Sequence, residues 1–186
     1  MDNFYSLDEL KLFGFKSIGE NVLISKKASI YGADKIVIGN NVRIDDFCIL
    51  SGNIVFGNNV HISAFTALYG KSGIEFGDYT GCSARCTVYS ETDNFSGECM
   101  IGAIIPEEYK KVIKGKVVFK NYTQLGANTV VMPNVIVNEG AVTGSMSFVK
   151  NDLDSWSINV GIPAKKIKER KKDIIKIIHD YEKSVN

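Results

Sequence analysis

The sequence predicts an all-β solenoid, a triangular coil of short parallel strands. Three observations lead there. Apolar side chains recur every six residues, three hexads make a turn of eighteen, and Gly-Asn or Gly-Asp pairs fall between hexads. From Phe119 the period runs through Leu125, Val131, Val137, Thr143 and Val149, with Thr123, Thr129, Val135, Ala141 and Ser147 four places after each. An earlier tract repeats it at Ile38, Ile44, Leu50, Phe56, Ile62, Leu68, Phe76, Cys82 and Val88. A period of six fits neither a helix at 3.6 nor a simple two-sided strand over this length. A prism does fit, with one side chain per strand pointing inward and a small partner where the interior narrows.

Each element follows in chain order, and residues 1–186 read as a single domain. Residues 1–20 form a helical cap: Ser6 and Glu9 make a capping-box pattern ahead of Leu7, Leu10, Leu12 and Phe13. Such a cap is needed because a stack of coils exposes an apolar cross-section at each end. Residues 22–161 form the coil. Its corners carry Gly39-Asn40-Asn41, Gly57-Asn58-Asn59 and Gly77-Asp78, residue types that tolerate left-handed backbone. The hexads stop at 91–117, too long for a corner, so this segment projects as a loop, with a helical turn expected over 106–112 after Pro106. Beyond Pro163, the stripe Ile167, Ile174, Ile178 and Tyr181 predicts a C-terminal helix over 163–186.

Composition narrows the function. Lys and Arg total 22 against 21 Asp and Glu, a net charge of +1 that gives no global field for a polyanion, so nucleic-acid binding is excluded as a first reading. No apolar run is long enough to span a membrane. The start carries acids and no basic-then-apolar pattern, which makes a cytoplasmic location the expectation. Cys48, Cys82, Cys86 and Cys99 lack zinc-ligand spacing and read as buried thiols, so no metal is expected.

The hexads, together with Gly161-Ile162-Pro163-Ala164-Lys165-Lys166-Ile167-Lys168, resemble the hexapeptide-repeat acetyltransferases, with their GxPAxxIx closing signature. The resemblance implies a left-handed parallel β-helix, acetyl-CoA as co-substrate, and a homotrimer with active sites in the grooves between subunits. It further implies that Gly126 and Ala127 in one coil, and Gly144 and Ser145 in the next, offer backbone N–H groups to the pantetheine arm. Pro163 belongs to the closing signature, and Lys150, Lys165 and Lys168 would meet the phosphates, with Lys166 and Arg170 in reserve.

The catalytic base departs from the family. Where the sugar O-acetyltransferases carry a histidine before the loop, this sequence has Asp93, so the base is either Asp93 or His61. The register stacks His61 on Arg43 below and Gly81 above; a neighbouring cation would keep the imidazole neutral, as a base requires. Arg43, Asp45 and Asp46 share a coil and could hold substrate ammonium or hydroxyls.

The loop motif at Tyr89, Ser90, Asp93, Phe95, Ser96 and Gly97 resembles that of enzymes of surface-polysaccharide pathways such as lipopolysaccharide synthesis. Tyr89, Asn94 and Phe95 are therefore expected to touch substrate, and Lys110 or its neighbours the diphosphate. A hydroxyl stays protonated at neutral pH, whereas an amine near the α-amino pKa of about 8 is already partly free base. Loss of the histidine thus favours an amine. The expected function is acetyl-CoA-dependent N-acetylation of a dTDP- or UDP-linked amino-dideoxyhexose. Sugar or polysaccharide O-acetylation is the enzymatic alternative, and a non-catalytic scaffold the alternative of another class.

Overall fold

The computed structural model describes residues 3–185 and contains a parallel β-solenoid. Its first face stacks seven rungs in the register Leu23, Arg43, His61, Gly81, Gln124, Val142, Ile158. The second stacks Ser29, Ile49, Ala67, Thr87, Val130 and Phe148, and the third Ser17, Val37, Val55, Glu75, Val118 and Ile136. The strands Ile49–Phe56 and Ala67–Phe76 run without a break around one corner, so faces two and three join in one sheet.

Every inward position of the six-residue pattern is buried, from Ile38 at 2% exposure to Val149 at 1%. The aromatic members stack along the axis: Phe56 on Phe76 at 5.4 Å between ring centroids, and Phe76 on Phe119 at 4.5 Å. This column of rings and aliphatic chains is the core, and its apolar burial favours the stack at roughly 25 cal/mol per Å².

The corners obey two rules. At one, an Asn or Asp oxygen of each coil accepts a backbone N–H from the coil before it: Asn58 from Asn40 at 2.9 Å, Asp78 from Asn58 at 2.6 Å, Asn121 from Asp78 at 2.9 Å. Gly39 precedes this ladder because a Cβ there would lie 2.4 Å from the Gly57 oxygen. Left-handed residues follow at Asn21, Asn41 and Asn59, as the sequence predicts, but also at Tyr79 and Tyr122. The next corner breaks the expected composition further. Its left-handed positions are Phe47, Phe65, Arg85, Asn128 and Met146, with φ from 59° to 63°. A bulky residue in that conformation costs about 1–2 kcal/mol. Ring stacking of Phe47 on Phe65 at 5.0 Å and the Arg85 guanidinium 5.5 Å from the Phe65 ring offset part of it.

The N-terminal cap is the helix α1, Leu7–Leu12, with both bonds of the capping box formed: Glu9 N–H donates to Ser6 Oγ and Ser6 N–H to Glu9 Oε2. Six residues present one buried side chain, Leu10, while Leu7 and Leu12 are exposed.

The projecting segment leaves the coil on an antiparallel stem, Glu91–Asp93 against Val112–Lys114. The helical turn expected over 106–112 is shorter, a 3₁₀ turn at Glu107–Tyr109, because Lys110 is already extended and the chain beyond it is drawn into the stem.

The helix expected over 163–186 is also corrected. Lys165–Glu169 is a strand, antiparallel to Ser157–Val160. Gly161, at φ 101°, turns the chain back so that this strand satisfies the otherwise open edge of the last rung. Ile167, read as part of a helical stripe, is an exposed strand residue. The helix α2 spans Asp173–Val185 and is tied to the coil by Tyr79 Oη–H donating to Glu182 Oε1 at 2.7 Å.

Candidate active site

Three groups of functional side chains emerge, each placed by a different part of the solenoid. The first lies on face one. Rung register puts His61 directly above Arg43, and the Asp45 carboxylate at the end of the lower strand stands between them. Its two oxygens lie 2.7 Å from His61 Nε2 and 2.7 Å from Arg43 Nε. Burial pushes the Asp45 carboxyl up, but the hydrogen bonds from His61 and Arg43 outweigh it and hold it below its ordinary value. The expectation that a bare Arg43 cation sets the state of His61 is corrected here, because Asp45 neutralises that cation. With Nε2 donating to Asp45, Nδ1 is left as the proton acceptor. Asp46 is committed elsewhere: Ser25 Oγ–H and Lys27 Nζ, the latter at 2.7 Å, both donate to it. Together Arg43, Asp45 and Asp46 line a 330 Å³ hollow with Asn3, Phe4 and Ala64.

The second group sits at the root of the projecting segment. Asp93 ends the outgoing strand of the stem, and its carboxylate has no hydrogen-bond or ion-pair partner among the described residues. It lines a 340 Å³ cavity with Tyr89, Lys71, Glu91, Glu107 and Lys110. Glu91 faces Lys71 at 3.3 Å and accepts from Ser72 Oγ–H at 2.5 Å. Burial raises its pKa, while Ser72 and Lys71 lower it by more, so the carboxylate stays ionised. Lys110 pairs with Glu107 at 2.9 Å. The structure therefore unites Tyr89 with Asp93 but keeps His61 with Arg43 and Asp45. Asn94 and Phe95 join neither: Asn94 Oδ1 accepts the Ser96 N–H in a local turn, and Phe95 projects outward at 75% exposure.

Sequence reasoning missed Tyr69, Lys71 and Glu91. The signal was present, since Tyr69 and Tyr89 occupy one outward column at successive rungs, but only the inward columns drew attention.

The third group runs along the corner of the last coils. The Gly126 N–H donates to Thr143 O at 3.1 Å, and the Gly144 N–H to Asn159 O at 2.8 Å, so neither glycine offers its N–H to a ligand. The Ala127 and Ser145 N–H groups have no partner among the described residues and face the corner. Gly126 is a glycine because a Cβ would sit 2.5 Å from the Gly144 carbonyl carbon. Lys150, Lys165 and Lys168 are exposed and form no ion pair among the described residues. The reserve cations are engaged. Lys166 pairs with Glu169 at 2.6 Å, and Arg170 donates to the Tyr122 and Gly140 oxygens at 2.6 and 2.9 Å beside Trp156. Exposed Pro163 follows a cis peptide bond at the hairpin turn.

Cys82 is fully buried, hydrogen-bonded to Cys86, with its pKa held well above the ordinary thiol range, which makes it packing and not a nucleophile. Among the described residues no three His, Cys, Asp or Glu side chains gather as a metal site.

No protein-family profile matches the chain. It is 44% identical over 176 residues, 92% of each chain, to the dTDP-4-amino-4,6-dideoxy-D-glucose acyltransferase of Escherichia coli. The crystal structure of AntD, an N-acyltransferase from Bacillus cereus, in complex with dTDP and 3-hydroxybutyryl-CoA superposes with a TM-score of 0.98 at 52% identity, covering 100% of both chains. A hexapeptide-repeat acetyltransferase from Vibrio cholerae shares the fold at a TM-score of 0.61 and 17% identity, over 90% of this chain and 80% of that one. A solenoid with a solvent-facing row of backbone donors beside free lysines, and near-full-length identity to such enzymes, has one conclusion: the chain belongs to the hexapeptide-repeat acyltransferases that modify dTDP-linked amino-dideoxyglucose.

Proposed function

We propose that the protein N-acylates the amine of dTDP-4-amino-4,6-dideoxyglucose with a short-chain acyl-CoA. The unpartnered Asp93 carboxylate, in a cavity that also holds Lys71 and Lys110, is the observation that carries the choice of an amine acceptor. A carboxylate acceptor orients an amine N–H and leaves the lone pair free, which a hydroxyl acceptor could not use without a stronger base. Acetyl-CoA is the donor we expect. The 3-hydroxybutyryl-CoA bound by the Bacillus relative makes that thioester the second donor to try.

In the proposed reaction the amine nitrogen attacks the thioester carbonyl carbon. The new C–N bond forms, the C–S bond breaks, and the proton lost by the amine ends on the departing thiolate. Asp93 orients the amine. The Ala127 and Ser145 N–H groups stand where pantetheine amides or the developing oxyanion can accept from them, and Lys150, Lys165 and Lys168 supply charge for the coenzyme A phosphates. These groups lie on different parts of the solenoid. We therefore place the complete site in the groove between copies of a homotrimer, with the product entering surface-polysaccharide synthesis in the cytoplasm.

The His61–Asp45 pair supports a second reading, acylation of a sugar hydroxyl with His61 as base. Incubation with acetyl-CoA or 3-hydroxybutyryl-CoA and a panel of dTDP-sugars separates the two. Coenzyme A release with the 4-amino sugar, and none with its 4-hydroxy counterpart, is expected. Release with the hydroxyl sugar alone, or with neither, rejects the proposal.

A further inference from the structure

On face two, the outward column just beyond the core runs Tyr31, Ser51, Tyr69, Tyr89 at successive rungs. Tyr69 and Tyr89 stack at 5.3 Å between centroids with their planes 12° apart. Ser51 interrupts the aromatic series. With about 4.8 Å per rung, Tyr31 and Tyr69 lie roughly 9.6 Å apart, the separation of the outer members of a three-ring stack. The missing middle ring leaves a slot one rung tall.

A 480 Å³ cavity opens at that slot, lined by Ser51, Tyr69, Lys71, Tyr89 and Glu91. Its wall is largely aromatic, with one cation at the rim. Lys71 is mostly solvated and held only by its pairing with Glu91 at 3.3 Å, so its ammonium can turn to an anion entering the cavity. This cavity shares Lys71, Tyr89 and Glu91 with the neighbouring one that reaches Lys110 and Asp93. The two form a continuous path whose order is aromatic slot, then cations, then carboxylate. A nucleotide amino-sugar has the same order: flat base, diphosphate, amine.

Resting on the function proposed above, we infer that the pyrimidine base of the acceptor inserts over Ser51 and stacks on Tyr69, with Lys71 meeting the diphosphate. Serine at position 51 is then a specificity residue: its small side chain keeps the place of a ring open. Base-on-aromatic stacking needs only a π face and exclusion of water, and Tyr69, supported from behind by Tyr89, provides a rigid surface for it.

The test fills the slot. Ser51→Tyr completes the aromatic column at an outward position, and Ser51→Ala leaves the slot open. Calorimetric titration with dTDP is expected to show affinity weakened about tenfold or more in Ser51→Tyr and in Tyr69→Ala, and unchanged in Ser51→Ala. KM for acyl-CoA, the far-ultraviolet circular dichroism and the sedimentation coefficient should stay as in the unaltered protein. Wild-type dTDP affinity in Ser51→Tyr overturns the inference, as does an unaltered protein that binds no dTDP. A changed sedimentation coefficient with dTDP affinity intact also overturns it, assigning the slot to a side chain of a second copy. Acyl transfer by the unaltered protein decides the reaction, and dTDP affinity of the variants decides the slot, so the two failures are distinct.

Discussion

Asp45 couples His61 to Arg43, with one carboxylate oxygen 2.7 Å from the imidazole Nε2 and the other 2.7 Å from the guanidinium Nε. The carboxyl is held below its ordinary value by these two donors despite partial burial. A carboxyl whose folded pKa is depressed contributes stability above its unfolded pKa of about 3.9, and loses it as pH falls through the lower folded value. Asp45→Asn should therefore lower stability at neutral pH by about 1 kcal/mol. Thermal melts of variant and parent should converge as the buffer is taken well below that unfolded pKa. A difference that persists undiminished in acid would contradict the ionic origin.

Asp93 and His61 separate by their substrates. With the dTDP-4-amino sugar, Asp93→Ala should reduce kcat/KM by about 10- to 100-fold and leave KM for acyl-CoA unchanged. His61→Asn should cost less than about tenfold with the same substrate. Steady-state kinetics on the two variants checks this, and the reverse ranking would favour the hydroxyl reading.

The lysines and the arginine of the closing hairpin should behave differently. Lys165→Ala and Lys168→Ala raise KM for acyl-CoA, more at low salt than at high salt, because exposed charges are screened. They leave the melting temperature close to that of the parent. Arg170→Ala does the opposite, since its guanidinium satisfies the Tyr122 and Gly140 carbonyls. Leaving them unpaired should cost about 1–3 kcal/mol. Parallel kinetics and melts distinguish a phosphate contact from a structural one.

Gly126→Ala should destabilise by about 1–3 kcal/mol or more, because the new methyl would lie 2.5 Å from the Gly144 carbonyl carbon and 2.6 Å from the Ser145 nitrogen. Both are backbone atoms that cannot swing aside. Loss of acyl-CoA binding with undiminished stability would instead show that the glycine serves the ligand alone.

Tyr79 anchors α2. Burial and the hydrogen bond to Glu182 push its phenol up to about 12, so the contact contributes stability that is intact below the unfolded value of about 10 and fades as pH rises through about 12. Tyr79→Phe should speed hydrogen exchange in α2 and leave exchange in the coils unchanged.

Much of this molecule is legible in its residues because the solenoid is nearly one-dimensional. A six-residue period names each inward side chain, and every one of those positions is buried. Ser6 and Glu9 fix the first helix by contacts three residues apart. Where local and longer-range demands compete, the pattern misleads. Ile167 continues a helical stripe, but the open edge at Ser157–Val160 draws its segment into a strand. Phe47, Phe65 and Arg85 occupy left-handed corners that composition would give to glycine or asparagine, and stacking between coils holds them there.

The chemistry divides the same way. The sequence by itself determined the coil, the corner that meets the thioester, and the candidates His61 and Asp93. Only the tertiary structure decided that Asp45 separates His61 from Arg43, and that Asp93 shares its cavity with Lys71 and Lys110. It also decided that the Ala127 and Ser145 amides, and not those of the glycines before them, are left open. The reason is physical: a periodic pattern states which way a side chain points, whereas hydrogen bonds and ion pairs depend on what the adjacent rung places beside it.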